Sequence, residues 1–112
     1  MNDSFNEIEN IYSGTEIKLN INIEPIGAYK MKDYNFDIEA FCMPQKKVII
    51  HKSDSDRVKY QDDNNYVVLI DTSGLGTGML KCKVIAYIPD ADFEDKTRTE
   101  VTTIGTNIRI LK

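Results

Sequence analysis

The sequence contains no tryptophan, only one histidine, two cysteines and three prolines, and no long apolar run. Each shortage excludes something. A single imidazole, His51, rules out a zinc site built from several histidines. Two cysteines are too few for a disulfide-stapled scaffold. No window approaches the eighteen or so apolar residues a spanning helix requires, so no membrane partner is expected. The opening residues, MNDSFNEIEN, show neither a basic nor an apolar signal region, so the cysteines are expected to fold reduced. Asn2-Asp3-Ser4 matches a glycosylation sequon but has no meaning without export. Basic clusters are also missing: the longest is Lys46-Lys47, and 14 basic residues face 18 acidic ones for a formal charge of -4. That balance disfavours nucleic acid as a partner.

What remains is 112 residues, 41% hydrophobic and 29% charged. That suits one domain whose core buries about two-thirds of the unfolded surface. Period-two alternation dominates it. Ile17, Leu19, Ile21 and Ile23 alternate with Glu16, Lys18, Asn20, Asn22 and Glu24 until Pro25-Ile26-Gly27 ends the strand. Tyr34, Phe36, Ile38, Ala40 and Cys42 form the next inward set, followed by a short strand from Lys47 to His51 and the charged tip Lys52 to Arg57. Val58 to Tyr60 pairs before the turn Asp62-Asp63-Asn64-Asn65. Tyr66 to Ile70 is apolar throughout, as a central strand would be. Met79 to Ile88 alternates again, Thr97 to Ile104 is β-branched, Gly105-Thr106 marks a turn or bulge, and Asn107 to Leu111 closes the set. About seven short antiparallel strands predict an all-β, immunoglobulin-like sandwich over residues 14–112.

Residues 1–13 read differently. Ser4-Phe5-Asn6-Glu7 fits a capping box, and Phe5, Ile8 and Tyr12 follow at helical spacing before Ser13-Gly14. The pattern predicts a short N-terminal helix or arm of about two turns, too short to hold itself in water. It must dock, on its own domain or on another subunit.

Three stretches invite a chemical reading. Gly74-Leu75-Gly76-Thr77-Gly78 lacks the Lys-Ser/Thr of a P-loop and opens a strand where a dinucleotide loop opens a helix. Its glycines are expected to supply positive φ or a bulge. Asp90-Ala91-Asp92-Phe93-Glu94-Asp95 fails as an EF-hand at both diagnostic positions. Solvated loop carboxylates are the preferred reading, with an improvised cation site on Asp90, Asp92 and Glu94 left open. Pro89 ends the preceding strand, and Phe93 is expected to fold back over a sandwich edge. Cys42 and Cys82 fall on apolar registers and read as buried thiols, with a placement facing each other across the sheets, as the antibody-domain cysteines have, left open. No catalytic constellation, metal site or cofactor is expected.

The stretch from Asn65-Tyr66 through Lys112 resembles a family of small proteins encoded by bacteriophages and prophages of Bacteroides-type gut bacteria, including crAss-like phages. The residues carrying the likeness are Asp71-Thr72-Ser73-Gly74-Leu75-Gly76-Thr77-Gly78, Ala86-Tyr87-Ile88-Pro89-Asp90-Ala91-Asp92-Phe93, and Arg98-Thr99-Glu100-Val101 before Gly105. Gly14 to Asn20 and Asn22-Ile23-Glu24-Pro25 fit the same pattern. The sequence departs at Asp95-Lys96, where the pattern has Asp-Gly, and at Gly105-Thr106, where it has Thr-Gly. The resemblance implies a non-enzymatic virion protein of immunoglobulin-like fold, made in the host bacterial cytoplasm. It would serve in a head fibre or as a capsid decoration, with a tail or baseplate adaptor as the alternative. Its expected partners are the major capsid protein or fibre subunits, and a homo-oligomer is expected. Phe5, Ile8, Tyr12, Asp90, Asp92 and Phe93 are the expected protein-interaction residues.

Overall fold

The computed structural model describes residues 7–24, 27 and 29–112. Its strands are β1 (Glu9–Tyr12), β2 (Glu16–Ile21), β3 (Asn35–Met43), β4 (Lys46–His51), β5 (Val58–Asp62), β6 (Asn65–Asp71), β7 (Gly78–Pro89) and β8 (Thr97–Leu111). They form a five-stranded sheet of order β1-β8-β7-β3-β4 and a three-stranded sheet of order β2-β6-β5. The two pack face to face as the expected immunoglobulin-like sandwich. Among the described residues the only helical elements are two short 3-10 turns, Met31–Asp33 and Thr72–Gly74.

The inward residues of both sheets make one core. Phe36, Ile38 and Ala40 of β3, Leu80, Cys82, Val84, Ala86 and Ile88 of β7, and Tyr66, Val68 and Ile70 of β6 are all buried. The alternation read from the sequence is therefore the inside-outside pattern of a half-buried sheet. No tryptophan sits between the sheets. Instead Phe36 meets Tyr34 and Tyr66 edge to face, with ring centroids 6.2 and 5.4 Å away.

Three expectations change. The helix expected at the N-terminus is replaced over Glu9–Tyr12 by β1, which runs parallel to the end of β8 with Glu9 opposite Ile108 and Tyr12 opposite Leu111. Phe5 and its capping residue Ser4 lie outside the described residues. A two-turn helix is marginal alone, whereas the open edge of β8 offers a full set of backbone partners. The strand also turns Ile11 toward the core, a residue the helical reading left unused. Second, the segments on either side of Gly105 are one strand. Between Met79↔Arg109 and Lys81↔Gly105, β8 has more residues than β7, so Gly105-Thr106 is a bulge. The Thr106 hydroxyl occupies it, donating to the Leu80 carbonyl at 2.8 Å and accepting from the Ile108 amide at 3.1 Å. Among the described residues the strand count thus becomes eight.

Third, the two cysteines do not face each other across the sandwich. Both lie in the five-stranded sheet on neighbouring strands, where Cys82 opposes Ala40 and Cys42 is two residues further along β3. Both are free thiols. Burial pushes the Cys82 thiol up to about 11 and raises that of Cys42 as well, so neither is a ready thiolate.

Candidate interaction surfaces

Topology gives the sandwich two poles. Chain direction brings the β1-β2 turn, the β3-β4 turn, the Thr72–Gly78 connection and the end of β8 to one pole. The β5-β6 turn and the 90–96 loop stand at the other. Of the expected interaction residues, Ile8 and Tyr12 go with β1 beside the last residues of β8, while Asp90, Asp92 and Phe93 stand on the 90–96 loop at the other pole. Phe5 lies outside the described residues, and those described do not form one site.

The 90–96 loop is tightly built. The Asp90 amide donates to the Lys96 carbonyl (3.0 Å), the Phe93 amide to the Asp90 carbonyl (3.3 Å), and the Lys96 amide to the Phe93 carbonyl (2.9 Å). Asp90 is consumed internally. One carboxylate oxygen accepts from the Asp92 amide at 3.0 Å and the other from Arg98 Nε at 3.1 Å, while Arg98 also pairs with Glu100. Asp95 likewise accepts from the Thr97 amide. The carboxylates of Asp92 and Glu94 make no ion pair with another described residue, and Phe93 between them is 46% exposed. Phe93 thus stays half-exposed in a hydrogen-bonded turn and is not part of the buried core. Among the described residues no three acidic, thiol or imidazole groups converge as a metal would require, and Asp90 is already committed to Arg98. Lys96 holds φ +63°, the left-handed conformation that glycine adopts freely and other residues seldom do.

On the N-terminal segment, Ile8 is 44% and Tyr12 66% exposed. β1 is tied down by its ladder, by the Ser13 amide on the Leu111 carbonyl (2.8 Å), and by Asn107 Nδ2 on the Glu7 carbonyl (2.9 Å). The described part of the arm, from Glu7, thus docks on its own domain with Ile8 and Tyr12 still exposed.

At the opposite pole from the 90–96 loop lies the glycine-rich connection. Asp71 accepts from the Ser73 amide at 3.0 Å and opens a 3-10 turn. Thr72 is fully buried; its hydroxyl donates to the Thr15 carbonyl at 2.7 Å and accepts from the Gly14 amide at 3.1 Å. This locks the end of β6 to the start of β2. Gly76 and Gly78 hold φ +78° and +120°, as expected, but Gly74 does not adopt positive φ. Beside them opens a cleft lined by Met43, Lys46, Lys47, Gly76 and Lys112 among others.

Two further clusters escaped the sequence reading. On the outer face of the five-stranded sheet, His51, Asp37, Ile85 and Val101 form one cross-strand row. His51 Nδ1 lies 2.6 Å from Asp37 Oδ1, and the Tyr87 hydroxyl donates to Asp37 Oδ2 at 2.8 Å. The bond to Asp37, followed by its charge, raises the His51 pKa above its usual value. The side-chain partner of His51 is a carboxylate; no hydroxyl or thiol nucleophile is bonded to its ring among the described residues. Ile49 (49%) and Val101 (58%) are exposed on the same face. The second cluster surrounds Lys52. Its ammonium donates to the carbonyls of Met31, Lys32 and Tyr34 at 3.0, 3.1 and 2.6 Å and lies 5.5 Å from the ring centroids of both Phe36 and Tyr66. Burial lowers its pKa. Every donor is occupied, so Lys52 acts as a plug that ends the core. Only its place in the charged tip after β4 hinted at this, since its carbonyl partners come from a segment about twenty residues away.

No family model matches the chain, and a search among curated proteins finds no match.

Proposed function

We propose that this chain is a non-enzymatic structural protein of a bacteriophage virion, a head fibre or capsid-decoration component that works by binding other virion proteins. The motif resemblance supplies the virion setting. The observation that carries the binding role is the half-exposed Phe93, flanked by two carboxylates that make no ion pair with another described residue, on a loop braced by its own backbone hydrogen bonds. A braced loop loses little conformational freedom when it docks, which favours a binding role. Ile8, Tyr12, Ile49 and Val101 add apolar contact area elsewhere on the surface. Other carboxylates are spent on structure: Asp90 on Arg98, Asp71 on the Ser73 amide, and Asp37 on His51 and Tyr87. In this reading the protein is made in the host cytoplasm, resides in the particle, and contacts the major capsid protein or fibre subunits.

Protein gels of purified virions test it directly. A decoration or fibre protein gives a band at high copy, a baseplate adaptor one at low copy. Absence of the chain from purified particles overturns the proposal.

A further inference from the structure

The two poles carry complementary chemistry and cannot reach each other within one molecule. Strand β7 connects them, with Thr77 preceding its first residue Gly78 and Asp90 following its last, Pro89. The eleven steps of about 3.3 Å from Gly78 to Pro89 put the poles about 36 Å apart, within the 46 Å longest extent of the molecule. That is several Debye lengths at physiological salt, so neither pole compensates the other.

One pole presents Asp92, Phe93 and Glu94: a half-exposed phenyl ring between two carboxylates that make no ion pair with another described residue. The other presents a cleft with Met43 and the backbone of Gly74 and Gly76 at its wall and Lys46, Lys47 and Lys112 around it. Lys47 shares its charge with Glu39 at 3.3 Å, while Lys46 and Lys112 have no ion pair among the described residues. The methionine methyl group lies over Gly76, where an added Cβ would stand 2.6 Å from it. The methyl group takes the place a side chain would fill, which sets the thioether into the cleft wall, where it packs adaptably against an aromatic ring. We infer that the Asp92-Phe93-Glu94 tip of one copy docks into the Met43-Lys46-Lys47-Gly76 cleft of a second copy, with Phe93 against Met43 and the carboxylates beside the lysines.

Such a contact joins two different surfaces, so each copy keeps one free tip and one free cleft. Repetition gives an open chain or a closed ring, not a two-fold dimer. The inference concerns only this chain's own surfaces and does not depend on the virion reading.

Sedimentation of the purified protein over a wide concentration range tests it. Mass is expected to grow with concentration in about 0.1 M salt and to fall back toward monomer in about 1 M salt, as the Debye length shrinks from about 10 to about 3 Å. A tip variant (Asp92→Asn, Phe93→Ala, Glu94→Gln) and a cleft variant (Lys46→Gln, Lys47→Gln) should each associate about tenfold more weakly or worse. Their melting temperatures should stay near the parent's, because all these substitutions lie at the surface. Mixed together, the two variants retain one sound tip and one sound cleft, and should form a 1:1 complex that grows no further. A parent that stays monomeric throughout overturns the inference. So does association that survives in either variant alone, or a mixture of variants that gives no complex.

Discussion

At Gly74 and Gly76 the same residue type does two different jobs two positions apart. Gly76 combines φ +78° with a side-chain approach of 2.6 Å, whereas Gly74 sits in open space without positive φ. Gly76→Ala should therefore cost about 1–2 kcal/mol from backbone strain, and Gly74→Ala should be neutral or slightly stabilising through the unfolded chain. Chemical denaturation of the two variants side by side checks this; equal losses would contradict it. Lys96 poses the reverse case. Its φ of +63° strains a side chain, so Lys96→Gly should stabilise the folded state by up to about 1 kcal/mol. His51 adds a pH dependence. Its folded pKa lies above the unfolded value of about 6.5. The pair with Asp37 thus contributes fully below about pH 6.5 and is lost as pH rises through the folded value. The melting-temperature gap between the parent and His51→Gln should be wider near pH 5.5 than near pH 8.5; a gap that widens toward alkaline pH would refute the assignment.

Among the elements, β1 is the one whose role changes most. Four residues closing the edge of β8 bury Ile11 and leave Ile8 and Tyr12 outside. The sandwich core does not depend on this strand, because among the described residues every fully buried side chain comes from Ile21 onward. A variant beginning at Ser13 should still fold. It should melt several degrees lower for the loss of Ile11 burial, worth about 1–2 kcal/mol, and aggregate more readily through the bared edge of β8. Circular dichroism melts with light scattering read both effects. Complete unfolding would place β1 in the core; an unchanged melting temperature would deny it any docking energy. β6 shows how an element's place in a sheet can be recognised before its pairing partners are known. Its outward Val67 and Leu69 are only half-buried, lying opposite Asn20 and Lys18, so a continuous apolar run marks the middle strand of a three-stranded sheet.

For the whole molecule, Cys82 reports on global opening. It is fully buried at the centre of β7 with its thiol pushed up to about 11, so thiol reagents should reach it only when the sandwich unfolds. Cys42 is half-buried near the Gly78 carbonyl, 3.4 Å from its sulfur, and should label first. Time-resolved labelling read by mass spectrometry should give one modified thiol well before two. Simultaneous modification, or a disulfide between them, would contradict the arrangement.

Local pattern was enough for the fold class. Alternation in β2, β3 and β7 puts apolar side chains on one face, and only a second sheet can cover that face. The turn at Asp62–Asn65 and the end of β7 at Pro89 were also legible, because they depend on backbone chemistry within a few residues. The N-terminal segment was not. Helix and strand are both marginal there, and the balance is set by an edge of β8 about a hundred residues away. The same holds for the cysteines, whose registers were clear but whose sheet was not, and for Lys52, whose partners come from Met31 to Tyr34. Charge composition showed a net excess of acid. It took the direction of β7 to separate Asp92 and Glu94 from Lys46 and Lys47, since only the folded chain decides which charges share an end and which lie too far apart to meet.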